Sequence, residues 1–197
     1  MINTTAIIIS YNSAIEIGAC IDSLLSQQDV NLDIIVVDNA SADNSLEVLK
    51  GYQDKIKLIA SPENLGFGRA NNLAASQSNS DFVFLFNPDA RLPDEHALSH
   101  LIAYLKAHEK VGLVAPKMLD ESGQHETLPR YSYPGQKHAS VDFSELPGKI
   151  AWVIGACMLL PKAVYQDIDG FDEAFFLYGE DADLCLRVRK HGYRIDY

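Results

Sequence analysis

The chain has 197 residues, 47% of them apolar, and a formal net charge of −11; its mean hydropathy is −0.05. This composition describes an ordinary soluble globular protein with apolar content enough for one sizeable core or two small ones, and its acidity argues against nucleic acid as a partner, because non-specific binding needs a basic footprint. The longest apolar stretch, Ala151–Leu160, is too short to cross a bilayer, which takes about 20 residues.

The N-terminus, MINTTAIIISYN, carries neither a basic n-region nor a small-residue cleavage site, so it does not read as a signal peptide. Thr4–Ser10 reads as a strand, and Ala14–Gln27 as a helix with Ile17, Ile21, Leu24 and Leu25 on one face. Leu32–Asp38 is a buried strand followed by a short helix at Ser45–Lys50. Ile56–Ala60 is a third strand, with a helix at Gly68–Ser76. Asp81–Phe86 is aromatic and β-branched and must stop at Asn87, because Pro88 lacks the N–H that a central ladder needs. A helix over Glu95–Glu109 and a strand at Val111–Pro116 follow. Met118–Lys149 is rich in Gly, Pro, Ser and His and reads as an irregular excursion. Ala151–Leu160 reads as one apolar strand, Lys162–Asp167 as a helical turn, Gly170–Tyr178 as an aromatic loop and Gly179–His191 as a helix, with a further strand beginning at Tyr193. Strands alternating with helices predict a Rossmann-like, mostly parallel α/β sheet covered by helices on both faces, in a single domain over residues 1–197. Cys20, Cys157 and Cys185 have no metal spacing and suit a reducing compartment.

Three strands end in polar clusters: Ser10-Tyr11-Asn12, Asp38-Asn39 and Asn87-Pro88-Asp89. The carboxyl edge of an open α/β sheet is where ligands bind, so these residues converge on one crevice. Asn-Pro-Asp also suits a plain turn. As a site, oxygen ligands there fit Mg2+ or Mn2+ completed by phosphate and water, with Asp89 as ligand and Asn87 assisting. Asp38 could accept from a base ring N–H. Glu63–Asn72 (ENLGFGRANN) lacks the third glycine and the first-strand position of a dinucleotide fingerprint. Gly66 and Gly68 instead allow a tight turn and a close approach to ligand, with Arg69 offering a cation. In Tyr178–Arg187 (YGEDADLCLR), Glu180, Asp181 and Asp183 fall in the first turn of a helix. Acidic residues there stabilise the dipole, but one of them could be a general base.

Taken together, IIISYN, VVDNASADNS, ENLGFGRANN, FLFNPDA, WVIGACMLL and GFDEAFFLYGEDADLCLRVRKHGY resemble the family 2 glycosyltransferases, inverting enzymes of the GT-A fold, and most of all their rhamnosyltransferase-type branch. The resemblance implies transfer of a sugar, with rhamnose indicated by the branch, from a nucleotide-diphosphate-sugar donor to a hydroxyl of a saccharide or lipid-linked acceptor. It implies Asp38 on the base, Asp89 on the metal–diphosphate and Asp181 as catalytic base. Ser10, Asn12, Arg69, Asn87 and Glu180 match donor-side positions, and Gly155 and Ala156 line the sugar or acceptor side. Asn87 stands where the family often has the first carboxylate of Asp-x-Asp, and Pro161 where relatives commonly place a basic residue. Family members usually continue beyond the position of Tyr197, so the resemblance implies a domain shortened at its C-terminus. A nucleotide-sugar-binding module without turnover is the alternative reading. Either is expected in the cytoplasm, the enzyme meeting its acceptor at the inner face of the membrane.

Overall fold

In the computed structural model, which describes residues 2–139 and 142–197, the strands join into a seven-stranded sheet of order β3-β2-β1-β4-β8-β5-β9. These are β1 (Asn3–Ser10), β2 (Asn31–Asp38), β3 (Lys57–Ala60), β4 (Phe82–Phe86), β5 (Val111–Val114), β8 (Cys157–Pro161) and β9 (Arg194–Asp196). The pairs β1–β2, β1–β4, β2–β3 and β5–β9 are parallel, and β8 runs antiparallel to both β4 and β5.

The two faces follow from alternation along each strand. Ile7, Ile9, Ile35, Val37, Val83 and Leu85 lie in one buried cluster, covered by α3 (Phe67–Ser76), α5 (Lys162–Asp167) and α6 (Glu180–Lys190). Ala6, Ile8, Ile34, Val36, Phe84 and Phe86 lie in the other, against α1 (Ile17–Leu25), α2 (Ser45–Lys50) and α4 (Ala97–Ala107). Helix α1 buries Ile17, Cys20, Ile21 and Leu24, the i, i+3, i+4, i+7 stripe of an amphipathic helix. Fully burying one such Ile or Leu contributes about 1.5–3 kcal/mol, so these near-continuous apolar strands suffice to hold a sheet covered on both sides.

The expected mostly parallel α/β fold is thus present, with one local correction. Ala151–Leu160 is not one strand. Only Cys157–Pro161 joins the main sheet, while Trp152 makes an isolated antiparallel bridge to Arg130. The Ala156 carbonyl still accepts the Asn87 N–H, one register step beyond the Phe86–Cys157 pair, and the β4–β8 ladder stops there because the Gly155 N–H is given to Asp181 instead.

The excursion at 118–149, of which Ser140 and Val141 lie outside the described residues, carries a two-stranded hairpin, β6 (Met118–Leu119) and β7 (Glu126–Thr127). Short 3-10 turns form at Gln136–His138 and Phe143–Glu145. The buried guanidinium of Arg189 on α6 ties this segment down. It donates to the carbonyls of Leu146, Pro147 and Gly148 and to Tyr133 Oη, at 2.8–3.2 Å. Its carbon also lies 5.7 Å from the Tyr133 ring centroid. A planar, five-donor cation can satisfy several carbonyls at once, which a lysine could not do in the same geometry.

Candidate active site

Ser10 and Asp38 are register partners at the carboxyl ends of β1 and β2, and both are buried, at 0% and 3% exposure. The Ser10 carbonyl accepts the Asn39 N–H at 2.8 Å, fixing the two strand ends side by side. Asp38 Oδ2 accepts from the Ser41 N–H at 3.3 Å, whereas Asp38 Oδ1 and Ser10 Oγ are buried with no partner among the described residues. Leaving a buried polar group unsatisfied costs about 1–3 kcal/mol, more when it is charged. Two such groups at adjacent strand ends suit a bound polar ligand better than a packing role. Asn12 (φ 53°) lies beside them and ties two loops together. Its N–H donates to Ser41 Oγ at 3.0 Å, and its Oδ1 accepts from the Ala42 N–H at 2.8 Å.

Asn39, which sequence reasoning grouped with Asp38 without giving it a role, organises the next loop. Its Nδ2 donates to Asn64 Oδ1 and to the Gly66 carbonyl, and its Oδ1 accepts from the Leu65 N–H. Gly66 has φ +78°, and a Cβ there would lie 2.4 Å from the Phe176 carbonyl oxygen. The close approach that this glycine permits is therefore to the aromatic loop, whose Phe176 carbonyl also accepts the Phe67 N–H at 3.2 Å. Gly68 likewise faces Phe171. Arg69 is half-exposed, with its Nε 3.7 Å from Glu173 on the same aromatic loop. An exposed pair of this kind adds little stability.

At the end of β4, the Ala90 N–H donates to the Asn87 carbonyl at 3.1 Å, so Asn-Pro-Asp is indeed a turn, and it leaves Asp89 exposed at the sheet edge. The Cys20 thiol donates to that same carbonyl. The Asn87 N–H donates to the Ala156 carbonyl at 2.9 Å. The neighbouring Gly155 N–H donates to Asp181 Oδ2 at 3.2 Å. Two consecutive residues therefore connect the Asn87–Asp89 turn to the start of α6. Phe67 also reaches Gly155, since a Cβ built there would lie 3.4 Å from its ring. The structure thus brings Asn87, Gly155, Ala156 and Asp181 together, with Ser10 and Asp38 along the same carboxyl edge. Arg69 is turned toward Glu173.

The three acidic residues opening α6 occupy different environments. Asp181 is half-buried and accepts from the Gly155 and Ala182 N–H groups. Asp183 is paired with Arg187 at 2.7 Å, and that arginine also reaches the carbonyls of Ile168 and Gly170. Glu180 is 7% exposed with Oε2 unpartnered, and burial, then the neighbouring Asp181, pushes its carboxyl pKa upward. Among the described residues, no three His, Cys, Asp or Glu side chains are placed to share a metal ion. One exposed carboxylate, with Asn87 in the same turn, fits a divalent cation held mainly by water and substrate phosphate. Two concavities of about 240 and 390 Å3 lie elsewhere, around Lys162 and Tyr165 and around Ile102 and Lys106, and neither is lined by a predicted site residue.

The profile of glycosyl transferase family 2 matches residues 5–169. The chain belongs to that family. The match takes in every predicted site residue except Glu180 and Asp181. In sequence, the chain is 26% identical to N-acetylglucosaminyl-diphospho-decaprenol L-rhamnosyltransferase of Mycobacterium tuberculosis, over 87% of this chain and 64% of the relative. In fold, it is similar to S. aureus TarS 1–349 (TM-score 0.78, 22% identity, 99% of this chain and 58% of that one). It is also similar to the mannosyltransferase PcManGT from Pyrobaculum calidifontis, solved with GDP-Man and Mn2+ (TM-score 0.73, 20% identity, 98% and 53%). The chain therefore spans less than two thirds of each of these proteins. The structural likeness shows a GT-A type fold, and within the family the sequence is similar to that of a rhamnosyltransferase.

The environment of Glu180 yields a stability test. Its folded pKa is raised, so burying its carboxyl is tolerated when protonated and opposed when ionised. That contribution to stability is fully present below the unfolded glutamate value of about 4.3 and is lost as pH rises through the folded value. Glu180→Gln keeps the shape and removes the ionisation. The variant is expected to have a higher urea midpoint than the parent at pH 7, with the gap closing below about pH 4. A gap that is the same at both pH values would contradict this account.

Proposed function

We propose that the chain is a single GT-A domain, residues 1–197, of an inverting glycosyltransferase. In this reading it moves a sugar, rhamnose by its branch, from a nucleotide-diphosphate donor to a hydroxyl of a saccharide or lipid-linked acceptor. The observation that carries the reading is the pair of buried, unpartnered atoms Asp38 Oδ1 and Ser10 Oγ at adjacent strand ends. They share the carboxyl edge with the Asp89 turn, which the Gly155–Ala156 segment connects to Asp181. The fold neighbours support the donor class, since TarS has been solved with UDP-GlcNAc and PcManGT with GDP-Man. The name of the mycobacterial relative supports a lipid-linked acceptor.

In this reading Asp38 accepts the ring N–H of the base, with Ser10 and Asn12 against the nucleoside and Glu180 against the sugar. Arg69 would reach the donor only by leaving Glu173. Asp89, with Asn87 beside it, would hold Mg2+ or Mn2+, which supplies positive charge to the leaving diphosphate; the Mn2+ bound in PcManGT supports this choice of metal. Asp181, held by the Gly155 N–H, takes the proton of the acceptor hydroxyl. The acceptor oxygen then bonds to the anomeric carbon as the carbon–oxygen bond to the diphosphate breaks, and the bonding pair leaves with the diphosphate. One displacement inverts the configuration. No helix among the described residues is long and apolar enough to cross a membrane. In this reading the domain works in the cytoplasm, meeting a lipid-linked acceptor at the inner membrane face.

Asp38 should make the parent prefer uridine or thymidine diphosphate to guanosine diphosphate in calorimetry. Asp38→Ala should weaken the preferred nucleotide by about 1–3 kcal/mol and flatten the preference. A parent that binds all three nucleotides equally would refute the assignment. Asp89→Ala should abolish the Mn2+ dependence of nucleotide binding while leaving the unfolding transition unchanged. Equal affinity with and without Mn2+ in both proteins would remove Asp89 from the metal. Asp181→Asn, in a chain that turns over, should leave donor affinity within a few-fold and lower transfer by about 10²–10⁴. If transfer stays at the parent rate, the base lies elsewhere. If the parent binds donor but never transfers, the alternative of a binding module is the correct reading.

A further inference from the structure

Phe176, Leu177 and Tyr178 stand at 59%, 53% and 84% exposure, three consecutive large apolar side chains immediately before α6. Tyr178 has φ +69° and is followed by Gly179 at φ +95°. A left-handed conformation is ordinary for glycine but unfavourable for a bulky L-residue. Packing gives nothing back, since the ring is almost wholly outside. The conformation is nevertheless held from both sides. Upstream, the Phe176 carbonyl accepts the Phe67 N–H, and downstream the Gly179 carbonyl accepts the Asp183 N–H at 3.0 Å. A strained, anchored and exposed aromatic residue next to a candidate catalytic helix points to a role in function rather than in folding.

We propose that the exposed face of Tyr178 is a platform for the pyranose ring of the acceptor, which it presents to Asp181. The inference rests on the reading of Asp181 as the base on the acceptor hydroxyl. A sugar ring offers a face of C–H groups with partial positive charge, which suits the negative face of an aromatic ring. Charge selects the ligand class further. Asp172 and Glu173 lie in the loop and Glu180, Asp181 and Asp183 follow it, and among the described residues only Glu173 and Asp183 of these have cationic partners. An anionic lipid surface would be repelled there, whereas a neutral saccharide would not; the donor diphosphate is a separate case, its charge being met by the cation at Asp89. Phe176 and Leu177 would form an apolar rim beside the ring.

The test uses the whole chain with uridine or thymidine diphosphate and Mn2+. The probes are the methyl glycosides of glucose, galactose, mannose, rhamnose, N-acetylglucosamine and N-acetylgalactosamine, followed by saturation-transfer NMR. Ring C–H protons of at least one glycoside should receive saturation from the protein. Tyr178→Phe should retain the contact, and Tyr178→Ala and Tyr178→Gly should weaken it about tenfold. All three variants should bind nucleotide within about twofold of the parent. Tyr178→Gly should leave Tm unchanged or raise it by up to about 4 °C, because left-handed strain is relieved and no packing is lost. The inference is overturned if no glycoside contacts the parent, if Tyr178→Ala binds like the parent, or if Tyr178→Gly lowers Tm. It is also overturned if Tyr178→Ala loses only retention on phosphatidylcholine vesicles, which would make the loop a membrane contact. The two readings fail separately: nucleotide binding by the parent bears on the transferase reading, and glycoside contact at Tyr178 bears on this one.

Discussion

The candidate site depends on one joint, the segment Gly155–Ala156 just ahead of β8. Its two hydrogen bonds run in opposite directions, the Ala156 carbonyl to the Asn87 N–H and the Gly155 N–H to Asp181 Oδ2. Because β8 is inserted antiparallel between β4 and β5, it starts at the edge where the parallel strands finish. The chain leading into β8 is thereby brought against the end of β4 and the start of α6. An all-parallel sheet would have put the start of that strand at the opposite edge. The antiparallel strand is what lets the Asn87–Asp89 turn and the start of α6 share one support.

Electrostatics poses the harder problem. An acidic chain that collects Asp38, Asp89, Glu180 and Asp181 at one edge would repel a diphosphate unless each carboxylate had a distinct task. The environments do separate them. Asp38 is buried with one oxygen satisfied and one not, which suits a neutral N–H donor. Asp89 is exposed, which suits a hydrated cation that cancels its charge and that of the phosphates. Asp181 accepts two backbone N–H groups, whereas Glu180 Oε2 is buried with no partner among the described residues.

Much of this was legible in the sequence. Alternating β-branched and apolar runs gave the strands of the first half to within a residue or two, since a strand buried on both faces leaves little ambiguity. Pro88 marked the end of β4 and hence the exposure of Asp89. Three things were hidden. The ten-residue apolar run at 151–160 carries no sign of its interruption, because the break comes from hydrogen bonds to residues distant in sequence. The glycines of ENLGFG read as a ligand approach, but Gly66 and Gly68 admit Phe176 and Phe171, an aromatic loop more than 100 residues later. The tie from Arg189 to the excursion was invisible too, because an arginine in the last turn of a helix is equally expected as a dipole partner.

The opening turn of α6 shows why composition alone could not assign its carboxylates. Asp181 and Asp183 are the same residue type, two positions apart, and both would stabilise a helix N-terminus. Their side chains diverge because successive positions on a helix point about 100° apart. Two steps carry Asp183 well round the helix from Asp181, to the side where Arg187 lies one turn on and can pair with it. Arg187 then reaches the carbonyls of Ile168 and Gly170, fixing the base of the aromatic loop. Asp181 has backbone N–H partners and, among the described residues, no cation in salt-bridge reach. Asp183 holds the loop in place through that arginine, so helical geometry gives two identical residues different partners: one carboxylate faces a cation and the other faces backbone N–H groups.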